Sequence, residues 1–148
     1  MAKPADAFRA LKTRLQADTT LAGYVKQFLE GQREASSITQ YPTVITDYTG
    51  SSESDDAYGE QRIRMRCVVY MVITVTDKDK QIVGDATTKG ALDYLNDLKK
   101  AIDTDRTLGG KAIHTYILDD SFSTVDFPVR VLALNVEILI EQTEAVRT

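Results

Sequence analysis

Two spacings of apolar residues divide this chain. Around Phe8, Leu11 and Leu15, and again around Ala91, Leu95, Leu98 and Ile102, they return every three or four positions, the mark of one helical face. From 61 to 76 they return every second position, the mark of a strand. The first spacing predicts a helix over 4–17, with Pro4 in a first turn where its missing N–H costs nothing. Asp18, Thr19 and Thr20 supply caps for a second, shorter helix carrying Leu21, Tyr24, Val25, Phe28 and Leu29 and ending near Gly31. Residues 32–40 read as a polar connector. Tyr41-Pro42 breaks any helix and opens an extended segment. Thr-Val-Ile-Thr-Asp-Tyr-Thr at 43–49 then reads as a strand.

Residues 50–60 are acidic and small, have no core-forming pattern, and read as a long mobile loop. The segment 61–76 is the clearest strand. Ile63, Met65, Cys67, Val69, Met71, Ile73 and Val75 share one face. The other face runs Arg62, Arg64, Arg66, then Val68, Tyr70, Val72, so it is charged at its start and apolar in its middle. Such a strand would be about 50 Å long at roughly 3.3 Å per residue, so it bends at a bulge or projects.

Asp85 is placed to cap a helix over 86–103 with the stripe Ala91, Leu92, Leu95, Leu98 and Ile102. Gly109-Gly110 stops it. Residues 111–118 read as a strand and 119–124 as a polar turn. Residues 125–141 read as a strand whose apolar positions change phase between Val131 and Leu132. That change signals a bulge, or a middle covered on both faces. The last residues, from 142, form a tail. The order α-α-β-β-α-β-β predicts an α+β fold: a mostly antiparallel sheet of about four strands packed by about three helices, in one domain spanning 1–148.

Composition narrows the picture in two respects. A net charge of −4 disfavours a domain that grips nucleic acid, which needs a surplus of Lys and Arg against phosphate. Cys67 is the one cysteine, so no disulfide forms within the chain, which suits a reducing compartment. The first residues lack an apolar signal core and no apolar run reaches the ~20 residues needed to span a bilayer, so folding in a cytoplasm is expected.

Catalytic chemistry is sparse. His114 is the one histidine and cannot build a multi-histidine metal site. Cys67 lies on an all-apolar strand face, as a small hydrophobe rather than an activated thiolate. Asp55-Asp56 and Asp119-Asp120 are neighbouring carboxylates in polar segments, where solvation or contact with a basic partner is expected rather than metal binding. Arg62, Arg64 and Arg66 repel one another along one face. They face solvent opposite cross-strand acids, or they meet acids of a neighbouring subunit such as Glu53, Asp55, Asp56 and Glu60; phosphate contact is a third option, which the net charge disfavours. Gly109-Gly110 follows a helix and precedes a strand, the reverse of a phosphate-binding loop. No Walker, dinucleotide, zinc or Gly-x-Ser-x-Gly pattern occurs.

The element order, the length, the helix bearing Leu95-Asn96-Asp97-Leu98-Lys99-Lys100 and the segment Asp105-Arg106-Thr107-Leu108-Gly109-Gly110 leading into strands resemble the tail terminator, or tail completion, proteins of tailed bacteriophages such as phage lambda. Neck and head–tail joining proteins share this layout. The resemblance implies a homo-oligomeric ring, usually of six copies, on the head-proximal end of the tail tube. It also implies contact with the major tail tube protein and with a head-completion protein, DNA passing through the lumen without specific binding, and no catalytic residue or cofactor. Acidic groups at 53–60 or at Asp119-Asp120 would face the pore or the tube. A neck protein in the same particle and a small-molecule-binding regulatory module are the alternatives.

Overall fold

The computed structural model describes residues 3–31, 33–55, 60–75, 77–124 and 128–143. Helix α1 (Pro4–Ala17) is followed by the single turn α2 (Thr19–Ala22) and a short strand β1 (Gln27–Glu30). Then come β2 (Thr43–Asp55), β3 (Glu60–Thr74), α3 (Ala91–Asp103), β4 (His114–Thr124) and β5 (Val129–Thr143). The fold is α+β, with three helices and a five-stranded sheet in the order β1-β2-β3-β5-β4 among the described residues. All pairings are antiparallel except β1 on β2.

The sheet buries one face under the helices. The odd residues of β3 from Ile63 to Ile73 and the even residues of β5 from Leu132 to Ile140 meet Ala7, Leu11 and Leu15 of α1 and Leu95, Leu98 and Ile102 of α3. Asp18 ends α1 and starts α2, its carboxylate accepting the Leu21 N–H at 3.0 Å. The outer face has a smaller cluster of Ile38, Ile45 and Val72, with Tyr41, Tyr70, Val129 and Val131 against it. The connector after β1 supplies Ile38 and Tyr41 to that cluster, so only one end of the outer face is covered.

Several expectations need correction. The second helix stops at Ala22, and Gln27–Glu30 is a fifth strand. Its backbone groups are taken by the parallel ladder to β2, flanked by Lys26 N–H to Pro42 O at 2.8 Å and Gly31 N–H to Thr46 O at 2.9 Å, and tertiary pairing overrides a weak helical signal. The acidic loop is shorter than expected: Gly50, Ser51, Ser52, Glu53, Ser54 and Asp55 continue β2 against β3, and Glu60 begins β3. β5 runs on to Thr143, past the expected start of the tail at 142, and residues 56–59 of the loop and 144–148 of the tail lie outside the described residues.

The third helix begins at Ala91, not 86. The Asp85 carboxylate is turned onto Thr87 and Thr88, and Asp93 instead accepts the Gly90 N–H at 3.0 Å. Residues 119–124 extend β4 rather than forming a turn, with Phe122 inward and Ser121 and Ser123 exposed. The phase change in β5 is a middle covered on both faces, because β3 and β5 pair without a register shift from Glu60 to Thr74. The bulges lie in the outer strands instead, between Tyr48 and Gly50 and between Ile117 and Asp119.

Gly84 and Gly90 need to be glycines. The loop before α3 folds back so tightly that a Cβ on Gly84 would sit 1.9 Å from the Thr88 carbonyl oxygen, and one on Gly90 2.4 Å from that of Ile82.

Candidate functional site

The arginine row lies where the alternation of β3 puts it, on the outer face beyond the covered end. Arg62, Arg64 and Arg66 are exposed. Cross-strand acids do come from β5: Arg64 Nη1 lies 2.8 Å from Glu137 Oε1, and Glu141 stands opposite Arg62 in the ladder. Arg66 faces Gly50 across β2, where its guanidinium occupies the space a side chain would need, and its carbonyl accepts the Thr49 hydroxyl at 3.0 Å. Glu53 pairs opposite Ile63 and so belongs to the other face of the sheet from the arginines of its own chain. The side chains of Asp55 and Glu60, and all of Asp56, lie outside the described residues.

The structure separates the Asp119-Asp120 pair. Asp119 Oδ1 accepts a short hydrogen bond from Asn135 Nδ2 on the outer face. Asp120 points to the helix side, where Lys99 Nζ donates at 2.7 Å. Two neighbouring carboxylates on opposite faces cannot hold one ion. His114 opens β4 with its ring 4.6 Å from that of Tyr116, and it stands opposite Leu139 rather than an acid. Cys67 is buried in the main core, and loss of hydration there, reinforced by Asp47, pushes its thiol up to about 12. It stays protonated and inert at neutral pH.

Two features escaped the sequence reading. Tyr24, Tyr94, Lys89 and Asp97 knit the α2 turn to α3. The Tyr24 hydroxyl and Lys89 Nζ both donate to Asp97 Oδ2 at 2.9 Å, the Tyr24 and Tyr94 rings meet edge to face at 5.5 Å, and Lys89 stands 5.2 Å over the Tyr24 ring. Burial first, then the Asp97 carboxylate, pushes the Tyr24 phenol far above its ordinary range, so it serves as a donor. The tyrosines were visible in the sequence, but the approach of Tyr24 to Asp97 across 73 positions was not.

The second feature is a groove of about 460 Å³ between α1 and the turn after α3, lined by Arg9, Arg14 and Lys111 with Asp6 and Asp105. Asp105 is engaged by its own turn, through Thr107 Oγ1 and the Thr107 and Gly109 N–H groups, which holds its carboxyl below the usual range. No group of three or more metal-ligating side chains occurs among the described residues.

The sheet has two open edges. β4 forms one, with Arg106 Nη1 donating to its Thr115 carbonyl oxygen at 3.1 Å, and β2 forms the other beyond Thr46, where β1 ends. Among the described residues, four of the seven large hydrophobics that stay exposed lie there: Tyr48 on β2, Tyr116 and Leu118 in the first half of β4, and Ile113 just before it. The other three, Ile82, Val83 and Leu92, gather at the loop entering α3. Fold and surface together define an α+β sheet domain whose distinctive groups are an arginine row and apolar strand edges rather than a catalytic cluster among the described residues.

No family model matches the chain, and no curated protein does. Among solved structures the chain is similar to one from the "Virion of native gene transfer agent (GTA) particle", with a TM-score of 0.50 and 12% identity, covering 91% of this chain and 94% of that one. At this identity the likeness is one of fold.

Proposed function

We propose that this chain is a structural protein of a tailed, phage-like virion. It forms a ring on the head-proximal end of the tail tube, ends tube polymerisation and offers the surface that joins the head. The observation that carries the proposal is the fold shared over almost the full length of both chains with a component of a gene transfer agent virion. The element order and the 105–110 segment, already likened to tail terminators, support the finer assignment.

A ring requires one heterologous contact repeated with a fixed rotation. The two open, partly apolar edges of the sheet suit such a contact because they stand on opposite flanks. Capping requires a further surface, which binds the last tube ring and does not propagate it. The exposed patch of Ile82, Val83 and Leu92 fits that role. A net charge of −4 suits a lumen through which DNA slides without sticking.

The test is the mass of the purified protein over a concentration series, with and without polymerised tail tubes, and electron microscopy of the tube ends. A closed ring of about six copies, or capture on one tube end, is the expected result. A strict monomer that ignores tubes at every concentration overturns the proposal. Capture by a head-completion protein but not by tubes moves the chain to the neck.

A further inference from the structure

We infer that Ile113 and the first half of β4, together residues 113–118, pair with the open segment of β2, residues 48–53, in a second copy, so that the sheet runs on from one copy to the next. The inference rests on the ring reading and names the contact that would close the ring.

Strand direction is the first argument. β2, β3, β5 and β4 alternate in direction across the sheet. A second copy set beside β4 in the same orientation therefore presents its β2 antiparallel to that strand, a pairing that needs no reversal of either chain.

The second argument is level. Across the ladders, Tyr116 aligns with Glu137, Arg66 and Gly50, and Ile117 with Val136, Cys67 and Tyr48. The exposed apolar part of β4 thus stands at the same height as the part of β2 that β1 leaves open. The two bulges fall within one residue of the same height. A bulge bends and twists an edge, so it repels flat strands and favours an edge with a matching bend.

The third argument is chemistry. Tyr48 is 46% exposed and Leu118 52%, values that suit side chains awaiting cover. From 43 to 55, β2 carries Asp47, Glu53 and Asp55 with no Lys or Arg, whereas Lys111 leads into β4 on the opposite flank. The contact ends at Asp119, which stands level with Asp47, because like charges facing each other across strands are unfavourable.

The experiment uses the full chain and the variants Leu118→Asp and Tyr48→Asp, with mass measured in solution and on tail tubes. Both sites are exposed, so each variant keeps the far-ultraviolet circular dichroism and Tm of the native chain. Each variant alone loses the ring and stays monomeric. An equimolar mixture gives a species of twice the monomer mass and nothing larger, because one sound β4 edge meets one sound β2 edge and both outer flanks are blocked. In an otherwise native chain, Ile117→Cys with Tyr48→Cys, the two positions that stand level, gives a disulfide-linked ladder on oxidation, with Cys67 silent in the core. If both aspartate variants assemble like the native chain, the edge pairing is wrong while the ring stands. If Leu118→Asp alone fails and Tyr48→Asp assembles normally, β4 meets some other surface and the pairing is overturned. A native chain that never assembles, with or without tubes, removes the ring and this contact together.

Discussion

The two faces of one sheet have opposite characters. The face under the helices is sealed from Ile63 to Ile73 on β3 and from Leu132 to Ile140 on β5, with every position apolar. The outer face is sealed only at one end, around Ile45 and Val72, with Ser121 and Ser123 of β4 exposed beside it, and then opens onto arginines on β3 and serines on β2. A face that folding alone would optimise is continuous, whereas one that also meets other molecules is a patchwork. Substitutions on the first face should therefore cost stability, and those on the second should cost assembly.

The largest effect is expected in the main core. Leu134→Ala, at a fully buried position, should lower the unfolding free energy by about 2–5 kcal/mol in denaturant titration. On the outer cluster Ile45→Val should cost only roughly 0.5–1.5 kcal/mol. A loss at Ile45 as large as that at Leu134 would erase the distinction between a main and an accessory core.

Next comes the tight loop before α3, which belongs to neither face. Gly90→Ala must move the Ile82 carbonyl or distort the helix start, and overpacking of that kind costs about 1–3 kcal/mol. Because Ile82 carries part of the apolar patch, the same variant should also weaken capture on tube ends. An alanine tolerated with native Tm and native capture would show that the loop can open.

These contrasts explain how much could be read from residues alone. The alternation on β3 and the stripe on α3 were plain because each buries a face of fixed period. β1 was hidden because Phe28 and Leu29, after Leu21 and Val25, fit a helical spacing equally well, and only β2 alongside decides between the two. The extension of β2 through Gly50, Ser51, Ser52 and Glu53 was hidden for a related reason. Those residues have no apolar period, and their strand is held by the β3 ladder rather than by side-chain burial. Ser121 and Ser123 hid the end of β4 in the same way. Arg62, Arg64 and Arg66 could be placed on one face from their spacing, and Cys67 on the other. The open edges could not, since which strand lies outermost is a property of pairing order.

On the arginine row the comparison sharpens further. The pair between Arg64 and Glu137 is half exposed, and exposed pairs contribute about 0–1 kcal/mol, so Arg64→Ala should hardly change Tm. If the row meets acids of a neighbouring copy, Arg62→Ser with Arg66→Ser should instead raise the concentration at which rings appear, and more so at low salt, where charges are least screened. Unchanged assembly at low salt would return the row to a plain solvent face.

The smallest effect concerns the two loop carboxylates, and its sign follows from their partners. Lys80 at 2.8 Å and the Thr87 and Thr88 donors hold the Asp85 carboxyl well below its usual range, and the Thr107 and Gly109 donors lower Asp105 in the same sense. A carboxyl whose folded pKa is depressed adds stability that is complete above its unfolded value of about 3.9 and disappears as pH falls through the lower folded value. Asp85→Asn and Asp105→Asn should therefore each lower Tm slightly at neutral pH, with the difference from the native chain shrinking once pH drops below about 4. Both groups are reached by solvent and screened by salt, so the gap should also narrow in high salt at neutral pH. A gap that widens on acidification would mean that these carboxylates act on the loops through packing rather than through charge.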